Sequence, residues 1–146
     1  MNIEQTENMN AIKQSYIIKA PIKTVWEALT DPKVIDAWGA GPSTMSEEEG
    51  FQFSLWGGQI HGKNTEVIKE KKLVQEWLAW KAAFGISTLT IDLEDNNRTT
   101  TVNLLHINVP TKEHTSVERG WKEYFMEPLI EYVERKELSR QRQNSL

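Results

Sequence analysis

Cysteine is absent from the 146 residues, which removes disulfides, iron–sulfur clusters, cysteine-ligated zinc and a thiol nucleophile from consideration. A cysteine-free chain suits a reducing compartment, and a cytoplasmic location is the expectation. No apolar run approaches the ~18 residues that a membrane span needs. Residues 1–10 are polar and acidic, without the apolar centre of a secretory signal. Positive charge is also in short supply: 17 Lys and Arg against 21 Asp and Glu leave a net charge of −4, so a broad nucleic-acid-binding face is not expected. Only three histidines occur, His61, His106 and His114, and no two are spaced i, i+4 as in a helical metal site. A Gly-rich phosphate loop, a nucleophile elbow and a carboxylate pair suited to acid–base work are all missing. Neither a metal nor a cofactor is therefore expected.

What remains is an ordinary globular composition, 38% hydrophobic and 26% charged, of a length that makes one domain with a substantial core. Ile12 to Lys19 alternates as a strand does, with Ile12, Tyr16 and Ile18 on one side and Ser15 and Ile17 on the other. Ala20-Pro21 starts a helix whose buried face is Ile22, Val25, Trp26 and Leu29. Asp31-Pro32 caps and opens a second, short helix through Trp38, ended by Gly39-Ala40-Gly41-Pro42.

From Thr44 the period becomes two. Phe51, Phe53 and Leu55 alternate with Gln52, Ser54 and Trp56, and Gly57-Gly58 reads as a two-residue hairpin turn. Return strands are predicted at about 59–68, 73–80, 86–93 and 99–109, with turns at Lys69-Glu70-Lys71-Lys72 and Asp95-Asn96-Asn97. Short connections make this an antiparallel meander. A long helix follows, capped by Thr115 or Ser116, with the stripe Val117, Trp121, Tyr124, Phe125, Leu129, Tyr132 and Val133. Pro128 lies inside it and is expected to remove a backbone bond and bend it. The expected organisation is a disordered tail over 1–11, one domain over 12–136 and a polar tail over 137–146. The fold class is α+β, an antiparallel sheet with one face covered by helices.

These residues resemble a family, the activators of Hsp90 ATPase and their homologues, within the wider START-like and Bet v 1-like superfamily. The stretch Ala20-Pro21-Ile22-Lys23-Thr24-Val25-Trp26-Glu27-Ala28-Leu29-Thr30-Asp31-Pro32 is similar to the family's opening segment. Trp38, Gly39, Gly41 and Pro42 resemble its hinge. Phe51-Gln52-Phe53, Gly57-Gly58, Gly62, Glu66-Val67, Leu73-Val74 and Trp77 follow in the family's order. Gly120-Trp121, Tyr124-Phe125, Glu127 and Leu129 resemble its C-terminal helix. The resemblance covers about residues 12–135 and implies a helix-grip fold, a curved sheet wrapped around a long C-terminal helix. The eukaryotic activator has a further N-terminal domain, and this chain resembles its C-terminal domain standing alone.

A sheet wrapped about one helix tends to leave a gap, and the large rings of this chain fall on the strand positions and helix stripe that would line it. Candidate lining residues are Trp38, Phe51, Phe53, Ile60, Trp77, Leu89, Ile91, Leu104, Trp121 and Phe125. His106 shares parity with Val102 and Leu104, while Asn64 and Glu66 share parity with Ile60 and Gly62, so these three are the candidate polar anchors. His61 is expected to face outward. Three functions follow. The first is non-enzymatic binding of a hydrophobic small molecule in that gap. The second, implied by the resemblance, is a co-chaperone-like module that binds an Hsp90-type chaperone and stimulates its ATPase. The third is a cyclase or hydrolase of the superfamily with His106 or Glu66 as acid–base.

Overall fold

In the computed structural model, which describes residues 9–79 and 85–144, the chain forms one six-stranded antiparallel sheet. Strand β1 (Met9–Ile18) leads into helices α1 (Ile22–Thr30) and α2 (Pro32–Trp38). The meander β2 (Gln52–Leu55), β3 (Ile60–Ile68), β4 (Lys72–Ala79), β5 (Ile86–Asp95) and β6 (Thr100–Pro110) follows. The spatial order is β1-β6-β5-β4-β3-β2, so β6 returns to pair with the first strand. The C-terminal helix has three parts: α3 (His114–Gly120), a wider π turn (Trp121–Met126) and α4 (Glu127–Asn144). This is the helix-grip arrangement, a curved antiparallel sheet with a long C-terminal helix.

One aspartate organises the two short helices. The Asp31 backbone N–H closes α1 on the Glu27 carbonyl, and its carboxylate accepts the Lys33 N–H at 2.9 Å to open α2, with Pro32 in the first turn. Trp38 Nε1 donates to the Ala28 carbonyl at 2.8 Å, tying the helices together. Pro21 stands one position outside α1, where its carbonyl accepts from Val25.

The inner face of the sheet follows the period of two. Ser87, Leu89, Ile91 and Leu93 of β5 and Thr100, Val102, Leu104 and His106 of β6 are buried, while Ile17 on the outer side of β1 is 68% exposed. Trp121, Phe125, Leu129, Val133 and Glu137 of the C-terminal helix are buried at every fourth position. In a regular α-helix four such steps would rotate the stripe by roughly 160°, away from the core. The π turn takes in an extra residue and returns roughly 100° of that rotation. Pro128 supplies the reason for its location. Having no N–H, Pro128 offers nothing to the Tyr124 carbonyl, and the neighbouring Glu127 N–H reaches five residues back to Lys122.

Several expectations need correction. Trp56 does not continue β2: it adopts φ 49° and begins a three-residue helical turn through Gly58, so the hairpin is not a two-residue one. Thr44 makes only an isolated bridge to Ser54. Neither Thr115 nor Ser116 caps the last helix; both lie inside α3, which is entered through a 3-10 turn at Thr111–Glu113. Tyr124 is 66% exposed, because the π turn moves it off the stripe. Helix α4 runs past residue 136 to Asn144, anchored by Glu137, whose carboxylate accepts from Arg140 at 3.0 Å and Gln141 at 3.1 Å. Trp80, expected at the end of a strand, lies outside the described residues.

Candidate functional site

The chemistry-bearing interior lies between the inner face of β4, β5 and β6 and the π turn of the C-terminal helix. His106, on β6, is 1% exposed. Trp121 Nε1 donates to its Nδ1 at 2.9 Å, and Ser87 Oγ lies 2.7 Å from its Nε2. Burial pushes the imidazole down to about 4 from its ordinary 6.5, so at neutral pH it carries one proton. Because Nδ1 accepts from the indole, that proton is on Nε2 and is donated to Ser87 Oγ. The pair is therefore in the wrong tautomer for general-base work, since Nε2 has no lone pair left to take the serine proton.

A second buried network joins β3 and β4. Trp77 Nε1 donates to Gln75 Oε1 at 2.7 Å, and Gln75 Nε2 donates to Asn64 Oδ1 at 2.9 Å. The Asn64 amide in turn donates to the Ser46 and Glu48 carbonyls at 2.9 and 3.2 Å. Asn64 thus fastens the loop before β2 to the sheet. Among the described residues, every fully buried side-chain nitrogen and oxygen has a partner.

Between the networks the rings pack against one another in tilted and edge-on contacts. Trp77 and Trp121 have centroids 4.9 Å apart, Trp121 and Phe125 4.6 Å, Trp38 and Phe125 4.8 Å, and Trp77 and Phe53 6.2 Å. His106 packs edge-on against both Trp77 and Trp121. Trp56 closes one side, 6.3 Å from Phe125, with its indole N–H donated to the Gly39 carbonyl.

The structure buries Trp38, Phe53, Trp77, Leu89, Ile91, Leu104, His106, Trp121, Phe125 and Asn64 in this core. Phe51 and Ile60 are only half-buried at its rim. Glu66 does not join Asn64. A register shift between them leaves one unpaired residue, Thr65, which turns Glu66 to the outer face, where it is exposed. Glu66 and His106 consequently stand on opposite sides of the sheet and share no site. His61 is exposed on the outer face. Ser87 and Gln75 are the polar residues that sequence reasoning missed. Each sits at an inner-face position of an otherwise apolar alternation, beside Leu89 and Ile91 in one strand and Leu73 and Trp77 in the other.

Among the described residues no group of three or more His, Asp or Glu side chains is placed to hold a metal ion. None of their helices is long and apolar enough to cross a membrane.

The family described as "Activator of Hsp90 ATPase homolog 1-like protein" matches residues 19–134. The chain belongs to this family. The human activator of 90 kDa heat shock protein ATPase homolog 1 is 24% identical over 105 residues, which are 70% of this chain and 31% of that protein. The Dictyostelium discoideum activator homolog is 36% identical over 81 residues, 54% of this chain and 21% of that protein. The chain thus spans less than a third of the length of either activator. Among solved structures, an HSP90 activator from Plasmodium falciparum superposes with a TM-score of 0.69 at 24% identity, covering 76% of this chain and 86% of that one.

Proposed function

We propose that this protein is an interaction module that binds an Hsp90-type chaperone through its surface and stimulates the chaperone's ATPase. The observation that carries this reading is the family match over residues 19–134, with human and Dictyostelium relatives that are named activators. The locked tautomer of the His106–Ser87 pair also favours a role in binding over one in acid–base catalysis.

The outer face of the sheet is the contact surface this reading favours. Leu78 stands opposite Ile86, and the next row holds Glu76, Thr88 and Ile107. Ile86 is 56% and Ile107 37% exposed, and His61 and Lys63 of β3 continue the same rows as a polar border. Exposed apolar residues interspersed with Glu76, Thr88, His61 and Lys63 give the mixed apolar and polar surface that protein interfaces commonly have. The test is ATP hydrolysis by the host's own Hsp90-type chaperone at saturating concentrations of this protein. Stimulation that is lost in an Ile86→Glu, Ile107→Glu double variant supports the reading; an unchanged rate together with no complex removes it.

A second reading, binding of a hydrophobic small molecule in the interior, is favoured by one observation, a buried serine hydroxyl set among aromatic rings.

A further inference from the structure

On the outer face of the sheet, away from the buried networks, lies a cavity of about 290 Å³. It spans β1, β6 and β5, and Lys13, Ser15, Asn103, Leu105 and Asp92 are among its lining residues. The strand register accounts for its place. Ser15 stands opposite Asn103 and Asn103 opposite Asp92, while the next row holds Lys13, Leu105 and Thr90. Directly opposed residues on one face have side chains starting about 5 Å apart, so these groups share one small area.

Their polar atoms are unequally committed. Ser15 Oγ donates to Asn103 Oδ1 at 2.9 Å. That bond uses the amide oxygen and leaves the Asn103 N–H donors without a partner among the described residues. Asp92 lies 4.0 Å from the Lys72 ammonium, which answers its charge. Lys13 is exposed and meets no carboxylate among the described residues. The cavity thus combines one surplus positive charge with two idle donor groups, beside the half-buried Leu105.

A carboxylate matches this set. Its two oxygens meet the Lys13 and Asn103 donors, its single charge answers the surplus one, and Leu105 covers a methylene stem. A phosphate group, with nearly two negative charges, would bring the excess against Asp92. A small cavity open to solvent also suits the end of a side chain better than an enclosed metabolite. Leu105 lies two residues from Ile107 on β6, so the cavity continues the outer surface of Ile86 and Ile107.

We propose that the Lys13 and Asn103 cavity receives an aspartate or glutamate side chain of the Hsp90-type chaperone. The inference rests on the chaperone reading and adds the partner's chemistry to it.

The test is the affinity of the full chain for the host's own chaperone, measured by calorimetry at about 50 and about 300 mM salt. Lys13→Gln is expected to weaken binding about fivefold at the lower salt and to flatten the salt dependence. Asn103→Asp keeps an acceptor for Ser15 but replaces the amide donors by a repelling carboxylate, and is expected to weaken binding about tenfold. Lys23→Gln makes the same charge change on α1 and is expected to bind as the unaltered protein does. Affinities of Lys13→Gln and Asn103→Asp within about twofold of the unaltered protein, with binding still lost in the Ile86→Glu, Ile107→Glu variant, overturn the carboxylate cavity and leave the chaperone reading standing. Equal weakening by Lys23→Gln and Lys13→Gln also overturns it, because net charge alone then suffices. Absence of any complex with the unaltered protein at either salt overturns the chaperone reading and this inference with it.

Discussion

Replacing His106 by glutamine isolates the cost of keeping a neutral imidazole inside this fold. Glutamine can accept from Trp121 through Oε1 and donate to Ser87 through Nε2, yet it does not titrate. The unfolded chain takes up the His106 proton near pH 6.5, whereas the folded protein resists it down to about pH 4. Between those values the unfolded state binds more protons, so stability falls as pH falls through that window and levels off below it. The full loss is about 3 kcal/mol, and acidification from pH 7 to pH 5 accounts for about 2 kcal/mol of it. Urea unfolding at pH 7, 6 and 5 reads this directly, and 2 kcal/mol corresponds to a midpoint shift of about 1 M. The unaltered protein is expected to lose that much more stability than His106→Gln over the interval, other titrating groups cancelling in the difference. Parallel pH dependence of the two proteins would refute the placement of a buried, neutral histidine.

Three further perturbations follow from the same geometry. Trp121→Phe leaves a smaller aromatic ring and removes the donor to His106 Nδ1, and is expected to cost about 1–3 kcal/mol in urea unfolding. Asn64→Ala releases the Ser46 and Glu48 carbonyls, so hydrogen exchange is expected to accelerate in the loop over residues 46–50 well before it does in β5 and β6. At Gly62 a methyl group would overlap the Glu76 carbonyl oxygen and press on the Phe53 ring. Gly62→Ala is therefore expected to destabilise by about 3 kcal/mol, measured by chemical denaturation, whereas alanine at Gly120, which meets open space, is expected to be harmless.

Legibility differed from one element to another for physical reasons. The inner faces of β5 and β6 could be read directly, because a period of two survives wherever one side of a strand is buried. Asp31-Pro32 was legible because the cap and the proline act locally. Parity alone puts Glu66 beside Asn64, but the extra residue at Thr65 reverses parity, and no residue type announces that event. Trp56 alternates correctly in sequence yet leaves the strand, since its N–H and indole are bonded to the Ala40 and Gly39 carbonyls of a distant loop. A 3.6-residue period puts Tyr124 on the buried stripe, and the π turn breaks that period. Within the site, the rings could be named from composition and parity, but Ser87 and Gln75 could not. Their importance lies in which atoms they meet, and small polar residues on apolar faces carry that signal only once the partners are known.

The most direct test of the proposed function is the ATPase rate of the host's Hsp90-type chaperone, measured with increasing amounts of this protein. Saturable stimulation, abolished by Ile86→Glu with Ile107→Glu while the variant retains its fold, is the result expected. An unchanged rate at saturation, with no complex detected by sedimentation, would contradict it.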